Sequence, residues 1–167
     1  MRQVFGILLM LFTLSSCIKE RQTGAELGLG DQVPDFTVIM NNGSRVTGAS
    51  LREGVSVIVF FTTQCPDCRA VLPHIQKIYD EHAGKGVRFA LISREDSQSN
   101  ISTYWEVNNL TMPYSAQEDR KVYEQFAKTR VPRVYLTKEG LIKSIFTDSP
   151  VPDYETLYGS LNSLLAD

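Results

Sequence analysis

Apolar residues along this chain recur at a spacing of two in some stretches and near 3.6 in others, which marks an alternation of strands and helices. Asp35 to Met40 alternates as a strand does. Asn41-Asn42-Gly43 carries turn chemistry, and a short strand around Arg45 to Thr47 completes a predicted hairpin. Val55 to Phe61 is apolar on both faces, the pattern of a strand covered on both sides. Val71, Leu72, Ile75, Ile78, Tyr79 and His82 then follow helical spacing, with Gly84 as a stop. Val87 to Ser93 predicts a second buried strand. Helices are expected around Ile101, Tyr104, Trp105 and Asn108, and again around Val122, Tyr123 and Phe126. Arg133 to Thr137, a Lys138-Glu139-Gly140 turn and Leu141 to Phe146 predict another hairpin. Asp153 can cap a last helix whose apolar face is Leu157, Tyr158, Leu161, Leu164 and Leu165. The class is α/β, one sheet covered by helices.

The first residues stand outside this pattern. Arg2 precedes an apolar run from Val4 to Leu14, too short to span a bilayer comfortably but suited to the core of an export signal. The run ends in Leu14-Ser15-Ser16-Cys17, which resembles the lipobox of bacterial lipoproteins. That resemblance implies cleavage before Cys17 and lipidation of its thiol. Acyl chains attach firmly to a membrane because each buried CH₂ contributes about 0.8 kcal/mol. An ordinary secretory signal with an incidental cysteine is the plainer alternative. The expected organisation is a signal over residues 1–16, a lipidated flexible tether over 17–29 and one domain over 30–167. Ile18, rather than an aspartate, hints at the outer membrane. Composition narrows the picture further: 17 basic against 19 acidic side chains, with no basic run, exclude a polyphosphate-binding surface.

Beyond Cys17, only Cys65 and Cys68 remain, in Cys65-Pro66-Asp67-Cys68 at a predicted strand-to-helix junction. A cysteine at a helix N-terminus has its thiolate stabilised by unpaired N–H groups and the helix dipole. Pro66 suits the first turn, where its missing donor costs nothing. A second cysteine one turn on can close a disulfide with the first. Cys65 is therefore expected to be the exposed nucleophile and Cys68 the shielded resolving thiol. A zinc site would need more ligands than His74 and His82, which share one predicted helix, so no metal or cofactor is expected. A purely structural disulfide over so small a loop would stabilise little.

From Gly30 to Asp167 the chain resembles thioredoxin-like proteins of the TlpA/ResA type. The matching pieces are Gly30-Asp31-Gln32-Val33-Pro34-Asp35-Phe36, the Val57 to Phe61 strand, Cys65 to Arg69, Pro73, Met112-Pro113-Tyr114, and Arg130 to Leu136 followed by Glu139-Gly140. The resemblance implies a thioredoxin-like fold: a central mixed β-sheet flanked by helices, an N-terminal β-hairpin extension, and a helix-strand insertion after the second core strand. It also implies that Pro132 follows a cis peptide bond and faces Cys65, leaving the Val131 backbone free to pair with substrate. Gln64, Pro66 and Asp67 would join Val131 and Pro132 in substrate binding. Departures from the family pattern lie close to the cysteines. Val59 stands where thioredoxins carry a buried aspartate, Val71 where this type often carries an acid, and Gln64 where a tryptophan is usual. Asp67, Glu95, Asp96 or water must then accept the resolving proton, and Glu95-Asp96 reads as a solvated loop.

The expected activity is that of a membrane-tethered thiol–disulfide oxidoreductase of the bacterial cell envelope, facing the periplasm. Its partners would be oxidised envelope proteins and an upstream membrane thiol donor, with the protein acting as a monomer and binding no nucleic acid. Asp67 puts negative charge beside Cys65 with only Arg69 near to offset it. This favours a reductant over an oxidant of the DsbA kind, which depends on a strongly stabilised thiolate. Two alternatives stay open. One is a redox-decayed binding module, favoured by Val59 and Val71. The other is a peroxiredoxin-like peroxidase, matched by Thr62-Thr63-Gln64-Cys65 but lacking the upstream proline at Ile58. Trp105, Tyr104 and Tyr114 have core spacing, His74 and His82 read as helix-surface or partly packed, and Arg130 and Arg133 as substrate contacts or a solvated edge.

Overall fold

The computed structural model describes residues 26–166. Two strands, β1 (Thr37–Ile39) and β2 (Arg45–Thr47), pair antiparallel as a hairpin that precedes the main sheet. The chain then runs through β3 (Val55–Phe61), α1 (Pro66–His82), β4 (Arg88–Ser93), α2 (Gln98–Val107), β5 (Tyr114–Ser115), β6 (Arg133–Lys138), β7 (Leu141–Phe146) and α3 (Tyr154–Ala166). The sheet order is β5-β4-β3-β6-β7. β3 is central, parallel to β4 and antiparallel to β6, so the sheet is mixed. All seven β3 residues are buried, as their two-sided apolar pattern requires. This is the thioredoxin-like architecture expected from the resemblance, with the α2–β5 unit following the second core strand.

Local chemistry explains most boundaries. Glu139 and Gly140 have φ of 50° and 76°, the double left-handed turn that suits the twist of the β6–β7 hairpin. Ser97 caps α2 by accepting from the Asn100 N–H at 3.3 Å, and Asp153 accepts from the Thr156 N–H at 2.9 Å before α3. α1 ends at His82 and passes into a 3₁₀ turn over Ala83–Lys85. Gly86, not Gly84, takes the left-handed φ of 87° that closes it.

Three expectations need correction. The helix expected around Val122, Tyr123 and Phe126 is only a 3₁₀ turn over Tyr123–Gln125. Its three apolar positions span little more than one turn, too short a helix to sustain itself. They serve as anchors instead: Phe60 meets Tyr123 at 5.5 Å, Phe126 at 4.8 Å and Tyr135 at 6.4 Å between ring centroids. Residues 26–28, read as tether, belong to the domain, since Leu27 is buried and its N–H donates to the Phe126 carbonyl at 2.8 Å. Cys17, the signal and the rest of the tether lie outside the described residues. Arg133 is not a solvated edge: its side chain is buried and donates to the Glu26 carboxylate at 2.6 Å. His82, on the apolar face of α1 as its spacing predicts, is buried, only 6% exposed, with its ring 5.8 Å from that of Tyr158 and neither nitrogen hydrogen-bonded among the described residues.

Two outcomes follow from this packing. Phe60→Ala removes the ring at the centre of the aromatic cluster and is expected to cost about 3–5 kcal/mol in denaturant unfolding. Burial also draws the His82 imidazole below its ordinary value, with Lys85 adding to the effect and Glu81 opposing it. The unfolded chain, whose histidine keeps a value of about 6.5, takes up that proton first as the pH falls. Stability is then greatest above that value and declines as the pH drops toward the folded one, where the loss levels off. The urea midpoint should therefore be lower at pH 5.5 than at pH 7.5, and His82→Leu should flatten that slope. An unchanged slope in the variant would show that His82 is not its source.

Candidate active site

β3 delivers the chain through Thr62, Thr63 and Gln64 to Cys65, which occupies the N-cap position of α1 with extended backbone angles. Pro66 is the first helical residue, and the Arg69 N–H closes the first turn on the Cys65 carbonyl at 3.1 Å. The Cys65 sulfur thus lies at the positive end of a 17-residue helix. It is half-buried, whereas Cys68, one turn on, is fully buried. Both are free thiols, and the two side chains are in hydrogen-bonding contact.

Burial pushes the Cys68 thiol far above its ordinary range, and the neighbouring Cys65 sulfur pushes it further. A hydrogen bond with the Thr62 backbone and the charge of Arg94 pull against this without overcoming it. Val59 and Val71, the positions where related proteins carry acids, are fully buried in the same apolar core as Cys68. No carboxylate stands at either position to relieve it. Cys68 is therefore a neutral thiol at neutral pH, held behind the accessible Cys65.

The wall opposite Cys65 is the loop before β6. The Val131–Pro132 peptide is cis, and the Cys65 thiol donates to the Val131 carbonyl at 3.5 Å. Both residues are buried, and the Val131 N–H has no partner among the described residues. The backbone expected to be free is thus half engaged, its carbonyl by Cys65, with its N–H left for an incoming strand. The loop is held from three sides. Tyr123 donates to the Arg130 carbonyl at 2.8 Å, Arg130 pairs with Asp148 at 3.3 Å, and Glu26 accepts from both the Lys128 N–H and Arg133.

Of the other expected site residues, Gln64 and Pro66 are exposed and Asp67 is half-buried. Arg69 is not paired with Asp67. Its Nε donates to the Thr63 carbonyl at 2.6 Å, and its guanidinium lies 5.7 Å from the Tyr104 ring centroid. Trp105 and Tyr114 belong to the core, with rings 4.9 Å apart and the indole N–H donating to the Met112 carbonyl at 2.9 Å. Glu95 is exposed and paired with Arg94 and Arg120.

Asp96 is the residue that sequence reasoning misplaced. It is only 6% exposed, and its carboxylate accepts from the Thr63 N–H at 2.5 Å. The Arg94 N–H reaches the Phe61 carbonyl at 2.8 Å beside it. Parallel pairing of Phe61 with Ser93 brings the loops after β3 and β4 to one sheet edge, and Asp96 ties them together two residues before Cys65. A polar Glu-Asp pair resembles a solvated loop in sequence; only the strand register reveals which of the two turns inward. Among the described residues no three His, Cys, Asp or Glu side chains gather to hold a metal ion.

Known proteins place this arrangement. The thiol-disulfide oxidoreductase ResA of Oceanobacillus iheyensis is 26% identical over 142 residues, covering 81% of this chain and 72% of that protein. ResA of Bacillus subtilis is 22% identical over 133 residues, covering 77% and 74%. Among solved structures, that of a putative protein disulfide isomerase from Bacteroides thetaiotaomicron superimposes with a TM-score of 0.78 at 23% identity, covering 88% of this chain and 96% of that one. A family model described as the AhpC/TSA family matches residues 29–145. The chain belongs to the AhpC/TSA family, and its fold is thioredoxin-like.

Proposed function

We propose that this protein exchanges disulfides with proteins of the bacterial cell envelope, held to a membrane through a lipid on Cys17 and working in the reducing direction. The observation that carries the chemistry is the pair of unlike thiols. Cys65 stands accessible at the start of α1 against the Val131 carbonyl, with neutral Cys68 buried in contact behind it. Thiol–disulfide oxidoreductases among its relatives support the same reaction class. The lipid anchor rests on Leu14-Ser15-Ser16-Cys17, and Gln64, Pro66, Asp67, Val131 and Pro132 are the proposed substrate contacts.

In the reducing direction the Cys65 thiolate attacks one sulfur of the client disulfide. That S–S bond breaks, the departing sulfur takes a proton, and a mixed disulfide forms at Cys65. The Cys65 contact and charge, which add to burial in holding the Cys68 proton on, are thereby removed, and what remains of the burial effect is opposed by Arg94 and the Thr62 backbone. Cys68 then attacks the Cys65 sulfur, its proton passing through water to the departing client sulfur. The second client thiol leaves, and the protein carries a Cys65–Cys68 disulfide. Two electrons and two protons have passed to the client, and a membrane dithiol must restore the pair, because the periplasm is kept oxidising. Asp67 sets a negative charge in the first helical turn, while Arg69 is engaged by Thr63 and Tyr104; both support a reductant.

Insulin reduction should be abolished in Cys65→Ser. Cys68→Ser should form a stable one-to-one disulfide adduct with a client, visible by mass spectrometry under non-reducing conditions. A Cys65→Ser protein with full activity would overturn the assignment. Equilibration with glutathione or dithiothreitol should give a potential nearer to the roughly −270 mV of thioredoxin than to the about −120 mV of DsbA. A DsbA-like value would contradict the reducing role.

A further inference from the structure

A pocket of about 320 Å³ opens directly beside the cysteine motif. Its near wall is Thr63, Gln64 and Arg69, and its far wall comes from α2 through Asn100, Tyr104 and Val107. Gln64 precedes Cys65 in the chain, so the pocket is within a few residues' reach of a client cysteine joined to Cys65.

The walls have a definite chemical character. No lining residue carries a carboxylate, and Arg69 is the lining cation. Its Nε is fixed on the Thr63 carbonyl and its plane is held near the Tyr104 ring, while its two terminal NH₂ groups have no partner among the described residues. Asp67, two residues away on the same helix, does not share its face. A guanidinium held at one edge, with its remaining N–H groups open, is suited to a carboxylate. Around it, the Gln64 and Asn100 carboxamides have no partner among the described residues. Val107 is 73% exposed, an apolar rim left open by the described residues.

We infer that this pocket seats the client segment next to its disulfide, and that Arg69 there pairs with an acidic side chain of the client. The inference rests on the exchange reaction proposed above. Arg69 would set specificity without taking part in the sulfur chemistry, the carboxamides would pair with the client backbone, and Val107 would meet an apolar neighbour of the acidic residue.

The test uses three disulfide-linked peptides that differ only in carrying Glu, Gln or Lys two residues from the cysteine. Wild-type protein should reduce the Glu peptide with kcat/KM about tenfold above the Lys peptide, mostly through KM, and the gap should narrow with added salt. Arg69→Gln should bring the ratio close to one. Asn100→Asp, an acidic residue in the first turn of α2 that the helix dipole tolerates, should lower the ratio by placing like charge in the pocket. A wild-type protein indifferent to Glu or Lys overturns the inference while leaving the exchange reaction standing. So does a Glu preference that survives in both variants. Failure to reduce any of the three peptides overturns the exchange reaction, and the inference with it.

Discussion

Exclusion of water from the Cys68 sulfur is the constraint on which the rest of the site depends. Two thiols one helical turn apart would be equivalent in solution. Here one lies at the helix start beside the surface and the other in the apolar wall with Val59 and Val71. Burial keeps the inner proton in place, so the outer sulfur attacks first. In the proposed exchange, bonding the outer sulfur to a client removes its own hold on the inner proton, while burial stays in place. In that proposal the order of attack is a consequence of position.

That position is maintained by the central strand and the loops at its C-terminal edge. β3 is buried along its whole length and hydrogen-bonded on both sides, so its last residue is a rigid launching point for the motif. Asp96 fixes the next loop through Thr63, and Glu26, Tyr123 and Asp148 fix the loop that brings Val131 against Cys65. Two of the charged groups in these fixings, Asp96 and the Arg133 that Glu26 holds, are buried. Such groups are costly to strand without a partner, so each is also a point at which the site's geometry is specified. The Glu26 contact further means that the chain enters the domain beside the loop that faces the nucleophile.

Much of this was legible in the sequence because the signals were local. The two-sided apolar run at Val55 to Phe61, the proline after Cys65 and the Glu139-Gly140 turn each state their structure within a few residues. What was not legible depends on partners distant in the chain. Asp96 looks like half of a solvated acidic pair until strand register turns it toward Thr63. Arg133 looks exposed until Glu26, from a segment that reads as tether, covers it. His82 falls on the apolar face of its helix in sequence, but the Tyr158 ring that covers it comes from α3. The apolar positions at 122, 123 and 126 mimic a helix face, but the aromatic rings across the sheet decide their use. The missing acids at Val59 and Val71 were visible in sequence.

The unequal reactivity of the two sulfurs is the central claim, and brief alkylation of the reduced, folded protein tests it most directly. Peptide mass spectrometry after a short exposure to iodoacetamide at pH 7 should find the label on Cys65, with Cys68 labelled only after denaturant is added. Comparable labelling of both residues in the folded protein would contradict the account.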